Sequence, residues 1–337
     1  MSSQPPPSTD TDASPLHRES PFVVLTIVGT FYFVGYAFSA IRMITTPNGG
    51  HPSLEQILNE GYMAHRILTL VSISIRVLPA LAGVPLLLYL AAKRRSPLPV
   101  LTPRPAPWRV WDFFKIWASS FCFLPIARLI MDATPSFWKR LSEPATFGVL
   151  ASGQNVVIVL LCVYAARLRT GTSFFLSARP ARSIRRAFAY GLKALLITAP
   201  FVFGADFLSG KALDLLKVDK PLNPAISLFF QAPLSHVWIL LLAVVVMAPL
   251  GEELLFRGFL YPSLEGRLGK MGGIIVTGVI FAVVHLNPYD LLPLLVLGIG
   301  LTYTYSRTRS LGACMVFHGL HNALTAMSVL ALRLLLR

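Results

Sequence analysis

Two adjacent carboxylates, Glu252 and Glu253, follow a strongly apolar run in this 337-residue chain. The run, residues 237–250, is too long and too regular for a strand, so it predicts a membrane helix that continues through Arg257. On such a helix Glu253 and Arg257 share a face, and the arginine can neutralise this acid. Glu252 points about 100° away and keeps no local partner, which suits a general base.

Two histidines follow on later apolar segments. His285 comes directly after the apolar residues 281–284, and His318 shares a helix face with Asn322. Either histidine alone is more often a bundle residue that makes one hydrogen bond. Because each polar residue inside a membrane segment is costly, however, Glu252 and the two histidines together point to a shared cavity.

Two residues near His318 have simpler interpretations. His321 lies roughly 60° from the His318 face of a helix, which favours a packing role. Cys314 would need a lowered pKa to act as a nucleophile, and nothing in its apolar surroundings lowers it. The three cysteines of the chain all lie in apolar segments and show no disulfide or zinc-knuckle spacing.

Three short motifs occur in the order of a known family. They are Glu-Glu-x-x-x-Arg at residues 252–257, Phe-x-x-x-His at 281–285 and His-x-x-x-Asn at 318–322. This order on successive membrane helices resembles the CPBP family of intramembrane proteases, which includes the type II CAAX prenyl endopeptidases and bacterial relatives. The resemblance covers roughly residues 237–330, and Arg309 departs from it where a small residue is common.

The resemblance implies peptide hydrolysis inside the membrane. Glu252 and His285 would hold and deprotonate a water molecule, while His318 and Asn322 would face the developing oxyanion. The ion pair of Glu253 with Arg257 would position the helix that carries the two acids. The implied catalytic residues are Glu252, Glu253, Arg257, His285, His318 and Asn322.

A zinc site is an open alternative, since the family is often labelled as metalloproteases. His285, His318 and one carboxylate could bind a metal that keeps an open position for water, with the other glutamate as base. Against this, the chain has no His-Glu-x-x-His helix, and Glu253 is expected to form an ion pair with Arg257 rather than bind a metal. We therefore favour the metal-free arrangement and keep a divalent metal such as zinc as the alternative cofactor.

Composition places the chain among polytopic membrane proteins. It is 54% hydrophobic and 13% charged, and its mean hydropathy is positive. The formal charge of +15 does not indicate nucleic-acid binding, because the positive residues cluster between apolar segments. We expect an all-α bundle of about eight to nine transmembrane helices in contact with the lipid bilayer.

The chain divides into three parts by composition. Residues 1–20 are polar and predict a disordered cytoplasmic tail. Residues 21–235 predict transmembrane helices of unassigned role, and residues 236–332 the catalytic core. The predicted spans are 22–44, 67–92, 110–131, 147–168, 187–208, 237–257, 272–286, 291–305 and 311–332.

Basic loops set the expected orientation. Arginine and lysine are concentrated between the second and third spans and between the fourth and fifth, so these loops and the amino terminus should be cytoplasmic. The site would then open toward the cytoplasm, in the inner or plasma membrane if the source is bacterial. Arg333 would lie outside, contrary to the positive-inside tendency.

Three functions remain open from the sequence. The first is an endopeptidase acting on membrane-tethered peptides or proteins, possibly prenylated CAAX-type substrates. The second is a transporter or proton relay that uses the same buried acid and histidines. The third is a membrane scaffold without hydrolysis, which would not need the whole polar set.

Overall fold

The structure is a computed structural model in which helices account for nearly all described residues. No strand occurs among the described residues, so the predicted all-α bundle is confirmed. The predicted tail, residues 1–20, lies outside the described residues. The described residues are 22–35, 37, 62–93, 96, 98–101, 107–170, 184–218 and 224–335.

Among the described residues, eight helices precede the segment that carries the acids. The predicted third span is divided into two helices, because Pro125 has no N–H with which to continue the helix from the carbonyl of Phe121. The eight helices are α1 (Phe22–Gly35), α2 (Tyr62–Ala92), α3 (Val110–Ser120), α4 (Phe123–Ala133), α5 (Pro135–Trp138), α6 (Glu143–Thr170), α7 (Ile184–Leu215) and α8 (Pro224–Gln231).

The helix with the acids is longer than the sequence predicts. It follows a short 3₁₀ turn, Leu234–His236, and continues well beyond Arg257 to a break at Gly269, where φ is 68° and ψ is 177°. Glycine adopts this left-handed φ without steric cost. We call residues 237–268 α9 and residues 270–284 α10.

Two stretches of α9 have π-helical geometry, Leu242–Met247 and Leu254–Leu260. Between them lies the α-helical segment Ala248–Glu253, which contains both acids. A π segment changes the angular phase of everything after it, and such segments are frequent at functional sites.

The last helices form a compact group around α9. A 3₁₀ turn, Pro288–Asp290, joins α10 to α11 (Leu291–Thr308), and α12 (Leu311–Leu335) follows. At 18 residues, α11 is shorter than the ~20 of a straight span, as the sequence predicts. Helices α10 and α11 touch at glycines: a Cβ on Gly298 would lie 3.1 Å from the Cα of Gly278.

In the part of the chain that the structure describes, five helical stretches are long and apolar enough to cross a membrane, judged by length and composition alone. The longest of them contains both α9 and α10, and large apolar side chains are exposed along the outer faces of several helices. The five stretches are Val110–Ala133, Glu143–Arg169, Ile184–Leu215, Leu234–Val284 and Leu311–Arg333.

Arg333 has a structural role that the sequence does not reveal. Its side chain is buried, and its Nη1 donates a hydrogen bond of 2.8 Å to the carbonyl of Phe229, in the last turn of α8. A cation at the carboxyl end of a helix satisfies free carbonyls and complements the helix dipole. Arg333 therefore has a specific partner at the end of α8.

Helices α9 and α12 approach so closely that a glycine is required. A Cβ on Gly319 would lie 2.7 Å from the backbone carbonyl oxygen of Val245, whereas a Cβ on Gly204 of α7 would meet nothing within 4 Å. Gly319→Ala should push the two helices apart and lower the midpoint of thermal unfolding in detergent. Gly204→Ala, the matched control, should leave it unchanged or raise it, because alanine favours helix by about 1 kcal/mol. Equal midpoints for Gly319→Ala and wild type would contradict this packing.

Candidate active site

The predicted acid and histidines meet between three helices. Glu252 comes from the middle of α9, His285 from the end of α10 and His318 from α12. The Glu252 Oε2 atom lies 4.0 Å from His285 Nε2 and 3.9 Å from His318 Nε2. Side-chain exposure is 24% for Glu252 and 30% for His285, but only 4% for His318. Glu252 and His285 are therefore partly accessible, whereas His318 is buried.

Behind this cluster, Glu253 forms a fully buried ion pair with Arg257, as the helical spacing predicts. Its Oε1 atom accepts a hydrogen bond of 2.9 Å from Arg257 Nη1, and both side chains are 0% exposed. The same oxygen lies 2.8 Å from His318 Nδ1. Because an ionised carboxylate only accepts, His318 carries a hydrogen on Nδ1 and turns Nε2 toward Glu252.

Arg257 also ties α9 to the two helices that follow. Its Nη2 donates a bond of 3.0 Å to the carbonyl of Gly298, which also accepts from Thr302 at 2.7 Å. The guanidinium carbon lies 4.8 Å from the centroid of the Phe281 ring, within cation–π range. Sequence reasoning missed both contacts, although Phe281 is the first residue of the Phe-x-x-x-His motif.

The Phe281 ring contacts Arg257 and both histidines of the site. It is fully buried, and its ring centroid lies 4.6 Å from that of His285 and 5.9 Å from that of His318. Where α10 ends, the backbone N–H of His285 bonds to Ala282, so the carbonyl of Phe281 is free to bond to His285 Nδ1 at 2.6 Å. A carbonyl only accepts, so His285 also carries its hydrogen on Nδ1 and presents Nε2 to the cluster.

Asn322 lies one helical turn beyond His318, half-buried. Its Nδ2 donates a bond of 2.7 Å to the carbonyl of Val244, in the first π segment of α9. An amide nitrogen carries two hydrogens, so one N–H remains for another acceptor. The sequence predicts the shared helix face of His318 and Asn322 but does not reveal that Asn322 bonds to the backbone of α9.

The donor atoms are spaced more widely in this structure than the ligands of a tetrahedral zinc ion. Zinc bonds of about 2.0–2.1 Å place neighbouring ligand atoms about 3.4 Å apart, less than the 3.9 and 4.0 Å seen between Glu252 and the two histidines. Within the part of the chain that the structure describes, no group of three or more His, Cys, Asp or Glu side chains could hold a metal ion. A water molecule making hydrogen bonds of about 2.8 Å fits this spacing better.

A bundle of apolar helices that encloses a buried ion pair and brings an acid and two histidines together is typical of a membrane-embedded protein, and comparisons identify the family. Residues 234–324 match the sequence model of the Rce1-like family, described as type II CAAX prenyl endopeptidase Rce1-like. The "Uncharacterized 24.3 kDa protein" of Escherichia coli is 30% identical over 162 residues, covering 47% of this chain and 69% of that protein. No solved structure matches the chain. The chain belongs to this family of membrane proteases, which confirms the resemblance drawn from the motifs.

Removing Arg257 should leave the buried carboxylate of Glu253 without its ionic partner. Breaking a buried pair by deleting one partner costs about 3–5 kcal/mol, so Arg257→Ala should lower both the yield of folded protein and its thermal stability. The matched control is Arg128→Ala. Arg128 forms an ion pair of the same helical spacing with Asp132, but its side chain is 74% exposed, and such pairs contribute about 0.5 kcal/mol. Thermal unfolding of both variants in detergent makes the comparison, and an Arg257→Ala protein as stable as the control would contradict a structural role for the pair.

Proposed function

We propose that the protein is an intramembrane endopeptidase that hydrolyses peptide bonds with a water molecule activated by Glu252. One observation carries this proposal. The Glu252 carboxylate and the Nε2 atoms of His285 and His318 converge at 3.9–4.0 Å, a spacing that one water molecule bridges. Membership in a family of membrane proteases supports the same reaction class.

In this proposal Glu252 is the general base, and His285 orients the water. His285 donates through Nδ1 to the carbonyl of Phe281, so its neutral ring offers the lone pair of Nε2 to one hydrogen of the water. Glu252 takes the other hydrogen as the water oxygen adds to the substrate carbonyl carbon. The protonated Glu252 then gives its hydrogen to the leaving nitrogen when the carbon–nitrogen bond breaks.

His318 is the proposed donor to the oxyanion. Its Nδ1 already donates to Glu253, so the ring can donate through Nε2 only as an imidazolium. The proposed role therefore requires a protonated His318, whose Nδ1 lies 2.8 Å from Glu253 and whose Nε2 lies 3.9 Å from Glu252. The second N–H of Asn322 is the proposed companion donor, and each such donor typically contributes about 10²–10³ to kcat.

The proposed substrate is a peptide or protein tethered to the bilayer. Apolar helices surround the site and exclude bulk water, while a membrane anchor would bring the substrate to the right depth. Prenylated CAAX-type substrates are one instance, and bacteriocin-related or regulatory proteolysis is another. We propose that residues 236–332 form the catalytic unit, that the amino terminus is cytoplasmic and that cleavage occurs near the cytoplasmic face.

Glu252→Gln should abolish cleavage of a membrane-tethered peptide in reconstituted vesicles while leaving the protein folded, because it keeps the shape of the side chain and removes the base. The control is Glu143→Gln, which changes an exposed glutamate in the first turn of α6 and should cleave like wild type. Folding is checked by thermal unfolding. Appreciable turnover by Glu252→Gln would contradict the assignment of Glu252 as the general base. Proton or solute flux through the wild-type protein without cleavage would favour a transporter.

A further inference from the structure

The backbone carbonyl of Val244, in α9, lies where the usual helical donors are diverted or absent. The N–H of Ala248 reaches back five residues to the carbonyl of Ala243, as in a π-helix. The next residue, Pro249, has no N–H at all. In an α-helix the donor to the carbonyl of Val244 would be Ala248, which bonds to Ala243 instead, and in a π-helix it would be Pro249, which has no N–H.

Asn322 of α12 supplies the missing donor. Its Nδ2 bonds to the Val244 carbonyl at 2.7 Å. The adjacent carbonyl, that of Val245, faces the same helix, because a Cβ on Gly319 would lie 2.7 Å from its oxygen and 4.0 Å from the Pro249 ring. The part of α9 that precedes Pro249 therefore contacts α12 at two places, Gly319 and Asn322, in the turn that follows His318.

We infer that Pro249 is a positioning residue of the hydrolytic site. By withholding an N–H it leaves the Val244 carbonyl free to hold one hydrogen of the Asn322 amide, and this fixes the direction of the other. Under the proposed function, on which this inference rests, that second N–H is a donor to the oxyanion. An ordinary residue at position 249 would let this stretch return to the α-helical register, in which Ala248 donates to Val244 and residue 249 to Val245, and the Val244 carbonyl would then have a donor that competes with Asn322.

Pro249 lowers the local stability of the helix, and such a cost is consistent with a positioning role. Proline is the least favourable residue in a helix interior, yet Pro249 stands three residues before the acid that meets both histidines. A proline selected only for packing would act through its ring. A proline that acts through its missing N–H should instead be coupled to Asn322, and this coupling can be measured in two ways.

The first measurement is a double-mutant cycle on stability. Pro249→Ala should unfold in detergent at the wild-type temperature or above it, because alanine restores a helical donor. Asn322→Ala should lower the unfolding temperature in the wild-type background and lower it much less when Pro249 is already alanine. The same shift in both backgrounds would overturn the inferred link between the two residues.

The second measurement is the same cycle on catalysis of a membrane-tethered peptide. Pro249→Ala should lower kcat by about 10- to 100-fold with KM nearly unchanged, since a misdirected donor affects the transition state more than binding. Adding Pro249→Ala to Asn322→Ala should change kcat by no more than about 2-fold, because the amide that Pro249 positions is gone.

Pro200→Ala is the control for removing a proline from a helix interior. Pro200 lies inside α7 against α2, where a Cβ on Gly83 would meet its ring, and it should keep the wild-type kcat. Wild-type kcat in Pro249→Ala, or multiplicative losses in the double variant, would contradict the positioning role while leaving the proposed function intact. If wild type and Glu252→Gln both fail to cleave, the proposed function falls and the positioning role with it, and the stability cycle still decides the contact.

Discussion

The structure around the acids depends on one constraint: Glu253 and Arg257 are completely removed from solvent, and their charges must be compensated there. The pair is not sufficient by itself, since a guanidinium has more donors than one carboxylate oxygen accepts. The carbonyl of Gly298 accepts a further hydrogen bond from Arg257, the ring of Phe281 lies against the guanidinium, and His318 Nδ1 contacts the same carboxylate oxygen, Glu253 Oε1. Satisfying this buried pair therefore brings α9, α10, α11 and α12 together at one point.

The two neighbouring glutamates differ because of this constraint. Glu253 faces the inside of the helix group and is held by Arg257 and His318, whereas Glu252 is partly exposed and meets only the Nε2 atoms of the histidines at about 4 Å. Each histidine is oriented through its other nitrogen, one by a carboxylate and one by a backbone carbonyl. A second contact that fixes the ring and its tautomer is the usual way in which proteins prepare a histidine for chemistry. In the proposed mechanism this division separates the group that moves a proton from the groups that hold the site in shape.

Much of this site could be predicted from the sequence because its spacing is helical. The pairing of Glu253 with Arg257 follows from residues four apart, and the meeting of Glu252 with the histidines follows from the cost of placing each in a membrane segment. The length of α9 could not be predicted, because nothing in the sequence distinguishes Gly269, where the helix breaks, from Gly266, where it continues. The partner of Asn322 was also out of reach, since it is a carbonyl freed by a local change of helix register. The structural role of Arg333 could not be predicted either, because its acceptor lies on another helix, about a hundred residues earlier in the chain.

The central claim is that this polar cluster cuts peptide bonds of membrane-tethered chains. It is tested most directly by mapping new protein termini with mass spectrometry in membranes from cells that carry either the active protein or Glu252→Gln. The account predicts a set of new termini, close to membrane anchors on the cytoplasmic side, that appears only with the active protein. Identical termini in the two preparations would contradict the claim, and cuts confined to soluble or extracytoplasmic segments would contradict the proposed orientation and membrane-tethered substrate.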